Sequence, residues 1–249
     1  MTRRVRLGML TPSSNTTLEP VASAMAAEAT GLSVHFSRFP VLEIALSDKA
    51  LAQFDDAVIV QAAALLAHAK VDTIAWNGTS ACWLGFASDE ALVARIEQAT
   101  GIKAATSVLA FREIFRRTGA VRIGLVSPYT DDVQARIQAN WGASGFDCVS
   151  ERHVGLRDNY SFAEVAPQTI AEMIRAVARD KPDAIAVVCT NMDAASLAEE
   201  LERETGIPVY DSIATAVWHS MVLAGVAPNI LTGWGQLFTD PRLQSASAT

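Results

Sequence analysis

The chain has 249 residues, 50% of them hydrophobic, and a formal net charge of −7. This apolar content allows one large core or two smaller ones, and it excludes an intrinsically disordered protein. The acidic balance provides no basic surface for nucleic acid or anionic membranes, so we expect neither as a partner.

Features of targeting, redox chemistry and metal binding are missing from the sequence. The N-terminus lacks the pattern of a signal peptide, and no apolar run reaches the roughly 18 residues of a membrane span, so a cytoplasmic protein is expected. Three widely spaced cysteines without a C-x-x-C pair indicate neither a disulfide framework nor a zinc clip. The four histidines lack the spacing of metal ligands, so no metal is predicted.

Strand-like and helix-like segments alternate along the chain. Short runs of β-branched or aliphatic residues occur at 6–10, 73–76, 122–126 and 184–188, and a helical pattern follows each one. This alternation predicts a parallel α/β protein. Apolar residues at helical spacing over 48–68 and 162–179 predict two crossover helices.

Three segments of the first half recur in the second half in the same order. They pair RLGMLTPSS with RIGLVSPYT, VDTIAWNGTS with PDAIAVVCTN, and TGIKAATSVLAF with TGIPVYDSIATAVW. The repeat predicts two similar α/β units, the first over 1–118 and the second over 119–224.

Turns with neutral hydrogen-bonding side chains follow the predicted strands. Because ligands of parallel sheets bind beyond the carboxyl ends of strands, two facing units would share one cleft lined by these turns. Hydroxyls, amides and backbone N–H groups suit an anionic ligand or an oxyanion, although each residue alone also fits an ordinary helix cap. The turns contain Thr11, Ser13, Ser14, Asn15, Thr79, Ser80, Tyr129, Thr130, Cys189, Thr190 and Asn191.

Cys189 is the residue of this set that can exchange a proton near neutral pH, since a free thiol has a pKa of about 8.5 and a helix N-terminus lowers it. A buried structural cysteine is the alternative interpretation. The repeat places Gly78 at the equivalent position, so a proton could be delivered to only one face of a ligand. We interpret Cys82 and Cys148 as core residues, and Trp76, Trp83 and Phe86 as either pocket walls or core.

On these residues the chain resembles the aspartate/glutamate racemase superfamily, in the branch of maleate cis-trans isomerases and arylmalonate decarboxylases. The matching segments are LGMLTPSSNTTLEP, NGTSACW, SPYTDD, RDNYSF, VVCTNM and GWGQLF. The superfamily implies two Rossmann-like domains with parallel sheets in pseudo-twofold relation and an active site at their interface. It also implies that no cofactor or metal is used, that a last strand segment within 225–249 returns to the first domain, and that a homodimer is a common assembly.

The resemblance divides between two activities. Similarity to maleate isomerases implies that Asn15 binds a substrate carboxylate and that Tyr129, Asn159 and Cys189 belong to the site. Those isomerases carry a second cysteine where Gly78 stands. Arylmalonate decarboxylases have glycine there and a single cysteine matching Cys189, but they lack the Ser-Ser-Asn turn and have Gly-Gly after the cysteine.

We therefore expect a cofactor-independent decarboxylase of a malonate-type, arylmalonate-like diacid. Cys189 would protonate an enediolate held by hydroxyl, amide and backbone donors, while Asn15 and Asn159 orient the remaining polar group. The binding set would comprise Asn15, Gly78, Thr79, Ser80, Tyr129, Thr130, Asn159, Thr190 and Asn191. The alternatives are a maleate isomerase or a racemase of a small carboxylic acid, with Cys82 as the nearest second group, and a dicarboxylate-binding protein without activity.

Overall fold

The structure is a computed structural model that describes residues 4–44, 46 and 56–245. Its strands form two four-stranded sheets, in which every pairing is parallel. The first sheet contains β1 (Val5–Pro12), β2 (Leu32–Phe39), β3 (Thr73–Trp76) and β4 (Ala104–Thr106), and the second contains β5 (Arg122–Ser127), β6 (Asp147–His153), β7 (Ala184–Val187) and β8 (Val209–Asp211). The strand orders β2-β1-β3-β4 and β6-β5-β7-β8 are equivalent, which confirms the predicted α/β fold of two similar halves.

Helices connect the strands in both halves. They are α1 (Leu18–Ala27), α2 (Asp56–His68), α3 (Ala81–Leu84), α4 (Phe86–Thr100), α5 (Ser107–Thr118), α6 (Asp131–Ala143), α7 (Pro167–Ala178), α8 (Ala198–Thr205) and α9 (Ser212–Leu223). Of the helix predicted over 48–68, residues 48–55 lie outside the described residues. The helix predicted over 162–179 begins only at Pro167, because a proline at the first helical position starts a helix and the preceding Tyr160–Glu164 forms a 3-10 turn.

The repeat extends to individual hydrogen bonds. Asp72 Oδ2 accepts from the backbone N–H of Arg6 at 2.8 Å, and Asp183 Oδ2 accepts from that of Arg122 at 2.8 Å. Both aspartate N–H groups also donate to the carbonyl of the same arginine. These reciprocal bonds fix the start of β1 and of β5 against the chain that leads into the neighbouring strand.

The two halves pack against each other through α5 and α9, which follow β4 and β8 at equivalent points. Both helices carry fully buried aromatic residues, among them Phe111 and Trp218. The short helix α3 also contacts α6 of the second half. These contacts hold the carboxyl ends of the central strands of both sheets beside one another.

The segment after α9 contains no strand among its described residues, 225–245, contrary to expectation. It forms three 3-10 turns instead, since Gly233 and Gly235 adopt positive φ angles of 82° and 88° that interrupt an extended path. The segment contacts the first half, where Trp234 Nε1 donates to Glu28 Oε1 at 2.9 Å. It also contacts the second half, where the N–H of Gln236 donates to Glu202 Oε2 at 2.7 Å.

In the part of the chain that the structure describes, no helix combines the length and apolar character needed to cross a bilayer.

Gly8, in β1, allows α2 and the turn before β3 to pack closely on the sheet. A Cβ there would lie 3.0 Å from Val71 Cγ2 and 3.1 Å from Leu66 Cδ1. Gly124 of β5 is equally close to its neighbours, since a Cβ would lie 3.1 Å from Pro182 Cγ. The glycine that β1 and β5 share at equivalent positions therefore has a packing reason.

We predict that Gly8→Ala lowers the free energy of unfolding by about 1–3 kcal/mol, because the added methyl overpacks this contact. The control is Gly142→Ala in α6, where a Cβ meets nothing within 4 Å and alanine favours the helix. Urea unfolding of both variants measures the difference. Equal stability of the two variants would contradict the packing account.

Candidate active site

A small cavity lies between the two halves, where the carboxyl ends of β1, β3, β5 and β7 meet. Its volume of about 20 Å³ corresponds to a single water molecule. A larger open depression of about 480 Å³ lies beside α8, but none of its lining residues comes from these strand ends. The cavity is lined by Pro12, Val41, Ile44, Gly78, Thr79, Trp83, Tyr129, Asn159, Cys189 and Thr190.

Cys189 follows β7 and is only 2% exposed. Its backbone N–H donates to Ser212 Oγ at 3.0 Å, and the N–H of Asn191 donates to the Cys189 sulfur at 3.3 Å. Burial raises the pKa of the thiol to about 12, although the N–H of Asn191 and the hydroxyl of Tyr129 act in the opposite direction. The thiol is therefore neutral at neutral pH.

The expected lowering of this pKa by a helix N-terminus is wrong. No α-helix begins at the turn after Cys189, where the next helical residues are the 3-10 turn Ala195–Leu197. Because burial disfavours the thiolate more strongly than the nearby N–H groups favour it, the net shift is upward.

Gly78 occupies the position equivalent to Cys189 in the first half, and it also lines the cavity. A Cβ at Gly78 would lie 2.1 Å from Cζ2 and 2.4 Å from Cε2 of Trp76. The indole ring thus fills the space that a side chain at this position would need. Position 78 itself therefore contributes no acid, base or nucleophile.

Thr79 and Tyr129 bring one hydroxyl group from each half to the cavity. Their oxygen atoms lie 2.6 Å apart, and both side chains are buried. Burial raises the pKa of Tyr129 well above its usual value, so the phenol keeps its proton. The Tyr129 ring is held edge-on between Trp83 and Phe162, with centroid distances of 5.3 and 5.5 Å.

Asn15 joins the two halves beside the cavity. Its Nδ2 donates to the Thr190 carbonyl at 2.9 Å and to Thr190 Oγ1 at 3.2 Å. Its Oδ1 accepts from the N–H groups of Thr17 and Leu18 at the start of α1. The amide already has protein partners for both groups, and Asn15 is not among the lining residues.

Asn191 and Asn159 extend this network. Asn191 Oδ1 accepts from the N–H of Thr16 at 2.9 Å, and its Nδ2 donates to the Asn159 carbonyl at 2.6 Å. Asn159 Nδ2 donates to Ser14 Oγ at 2.8 Å. Of these two asparagines, Asn159 lines the cavity, whereas Asn191 lies outside the lining and holds Asn159 by its hydrogen bond.

Four further residues singled out in the sequence lie away from the lining. Ser80 is buried at the start of α3, and Cys82 lies within α3, where burial raises its pKa well above the usual value. Thr130 precedes α6, and its hydroxyl donates to Asp132 Oδ1 at 2.5 Å. Cys148 lies half-buried in β6.

Val41 and Ile44 form an apolar wall of the cavity that was not predicted from the sequence. Segment 41–44 follows β2 and crosses to the second half, where the N–H of Ile44 donates to the Arg157 carbonyl at 2.9 Å and the N–H of Asn159 donates to the Leu42 carbonyl at 3.0 Å. The available signal was its position, because the residues after each strand's carboxyl end meet the ligand site in such folds.

Within the described ranges, no group of three His, Cys, Asp or Glu side chains is arranged to hold a metal ion.

Known proteins of two kinds resemble this chain. Residues 8–238 match the family described as arylmalonate decarboxylase. The arylmalonate decarboxylase of Bordetella bronchiseptica is 29% identical over 166 residues, which are 66% of this chain and 69% of that protein. The maleate isomerase of Nocardia farcinica is 27% identical in an alignment 252 residues long, which covers 97% of this chain and 98% of that protein.

A solved structure supports the fold assignment. A variant of the maleate isomerase from Pseudomonas putida S16, crystallised with maleate, matches with a TM-score of 0.89 at 22% identity and covers 97% of this chain and 100% of that chain. The resemblance inferred from the sequence is confirmed. The relatives are enzymes of both named kinds, so likeness alone does not choose between the two reactions.

We predict that Asn15→Asp lowers the free energy of unfolding by about 2–3 kcal/mol. The aspartate keeps an acceptor for α1 but faces the Thr190 carbonyl with an oxygen instead of a donor. Asn229→Asp is the matched control, because Asn229 is exposed and its substitution should change stability by less than about 0.5 kcal/mol. Urea unfolding at pH 7 compares them, and an Asn15→Asp variant as stable as the control would refute the cross-half bond.

Proposed function

This chain belongs to the arylmalonate decarboxylase family, and we propose that it is a cofactor-independent decarboxylase of a malonate-type diacid in which Cys189 donates a proton. The observation that carries the proposal is the asymmetry of the two strand ends. One end presents a single neutral thiol, and the equivalent end presents Gly78 with Trp76 filling the side-chain space.

The cavity offers different surroundings to the two carboxylates of such a substrate. The hydroxyl pair of Thr79 and Tyr129 suits the carboxylate that remains, whereas the Thr190 hydroxyl already donates to the Asn77 carbonyl at 2.8 Å. Pro12, Val41, Ile44 and Trp83 form the apolar wall. A carboxylate placed against this wall loses hydration, and its conversion to neutral carbon dioxide relieves that penalty.

In the reaction, the bond between Cα and the departing carboxylate breaks and its electron pair stays on the remaining fragment as an enediolate. Hydrogen-bond donors stabilise this charge, each by on the order of 3 kcal/mol in comparable sites. The Cys189 S–H then transfers its proton to Cα, which leaves a thiolate that regains a proton from water. The N–H of Asn191 donates to the sulfur and stabilises the transient thiolate.

Binding must enlarge the cavity, since about 20 Å³ is too small for any diacid. Segment 41–44 forms one wall and belongs to no regular strand or helix. It is held to residues 157–159 by backbone hydrogen bonds and to Ser14, whose hydroxyl donates to the Val41 carbonyl at 2.6 Å. We infer that the substrate displaces this segment and that the segment then covers the bound diacid.

Maleate isomerisation is the second candidate, because the isomerase relative aligns over 97% of this chain. A mechanism in which a thiolate adds to the double bond is poorly supported here. Burial keeps Cys189 protonated, and Cys82 does not line the cavity. A dicarboxylate-binding protein without activity is the third candidate, and turnover measurements separate it from both enzymes.

We predict that Cys189→Ala lowers carbon dioxide release from substituted malonates by a factor of about 10²–10⁴, the usual contribution of a positioned acid. Cys82→Ala is the matched control and should retain activity within about twofold, measured per folded molecule. Release is followed for a panel of alkyl- and arylmalonates, with maleate included. Conversion of maleate to fumarate, or diacid binding without turnover, would overturn the decarboxylase proposal.

We predict that Gly78→Cys alone lowers the free energy of unfolding by about 2 kcal/mol or more, because the new side chain collides with Trp76. This single variant should still form one product enantiomer. Adding Trp76→Val should make room for the second thiol and allow exchange of the α-proton on both faces of the product acid. Trp76→Val alone is the control and should remain stereospecific. A stable Gly78→Cys variant that racemises the product would show that Trp76 does not block this position.

A further inference from the structure

Asp211 is a buried carboxyl group that the proposed mechanism does not use. It ends β8 and is 1% exposed. Its Oδ1 accepts from the N–H groups of Ile213 and Ala214 at 2.7 and 3.0 Å, which caps α9. Its Oδ2 has no hydrogen-bond partner among the described residues. Because neutral residues cap helices equally well, capping does not explain a buried carboxyl.

The carboxyl group lies directly behind the Cys189 turn. Asp211 pairs with Val187 in the register of β8 and β7, two residues before Cys189. Ser212 joins the two turns, since its hydroxyl donates to the Val187 carbonyl at 2.8 Å and accepts from the N–H of Cys189 at 3.0 Å. The negative charge of Asp211 also contributes to the raised pKa of Cys189.

In the first half, the strand end equivalent to Cys189 carries no cysteine. Thr106 occupies the position equivalent to Asp211, paired with Trp76 in the register of β4 and β3. Its hydroxyl accepts from the N–H of Leu109 at 2.9 Å and caps α5. The strand end in front of it carries Gly78. Thus the helix cap next to Gly78 is a neutral threonine, whereas the helix cap next to Cys189 is a carboxyl group.

We propose, building on the decarboxylase function above, that Asp211 is a positioning residue for Cys189, whose carboxyl group together with Ser212 holds the thiol in its neutral, proton-donating form.

The order of ionisation is consistent with this role. Burial raises the pKa of Asp211 to about 8, against the opposing effect of the N–H groups of Ala214 and Ile213. Below that pH both groups are neutral. Above it the carboxylate is charged, and its charge opposes ionisation of the thiol, whose pKa is about 12. Cys189 therefore remains a proton donor on both sides of pH 8.

The other groups that act on this pair are few. Tyr129 and the N–H groups of Asn191 and Met192 lower the pKa of Cys189. Asp193 raises that of Asp211. All of these groups stay unchanged when Asp211 alone is replaced, so a change in thiol ionisation reports on the carboxyl group.

The test compares Asp211→Asn and Asp211→Thr with the wild-type chain. Both replacements are N-cap residues that preserve the start of α9, and threonine copies the first half. The rate of Cys189 alkylation by iodoacetamide is measured by mass spectrometry between pH 7 and 10. We expect both variants to react about tenfold faster at pH 9–10, because removing a neighbouring charge lowers the thiol pKa by about one unit.

Asp183→Asn is the control, since Asp183 also accepts two backbone N–H bonds in the second half but lies at the opposite end of the sheet. It should leave the alkylation profile unchanged. Profiles of both Asp211 variants that coincide with wild type would reduce Asp211 to a helix cap. Alkylation needs no turnover: a shifted profile in a chain without decarboxylase activity would refute the function alone, and activity with an unshifted profile would refute the role of Asp211 alone.

Discussion

Burial of the Cys189 thiol is the constraint on which the rest of the site depends. At 2% exposure the thiolate is disfavoured, and the pKa of about 12 leaves a neutral S–H that can donate a proton to a carbanion. The cross-half hydrogen bonds of Asn15 and Asn191 maintain this burial, because they hold the two turns that close the cavity. The network that stabilises the fold therefore also sets the chemistry of the cysteine.

The two halves share one architecture, but only the second half carries a cysteine at the end of its central strand. The two sheets share strand order, helix caps and the paired aspartates that clip β1 and β5. They differ at the strand ends where chemistry is expected. The strand before Gly78 pairs Trp76 with Thr106, whereas the strand before Cys189 pairs Val187 with Asp211. The two halves thus share a backbone framework and differ in the side chains at these strand ends.

The repeat allowed the sequence to predict the fold and the strand-end turns, because strands of equivalent sequence in parallel sheets end at the same edge. It could not predict which turn residues face the cavity. Thr130 and Ser80 share the hydroxyl chemistry of Thr79 but lie outside the lining, since orientation depends on where α6 and α3 begin. Val41 and the pKa direction of Cys189 were also missed, because both follow from contacts between distant segments.

In the proposed reaction, one thiol delivers one proton to one face of an enediolate. The most direct measurement is the turnover of a prochiral malonate with two different α-substituents in deuterium oxide, with the deuterium content and enantiomeric composition of the product acid determined by mass spectrometry and chiral chromatography. We predict a single enantiomer carrying one deuterium at Cα. A racemic product would contradict the account, as would a product whose α-position continues to exchange after carbon dioxide has been released.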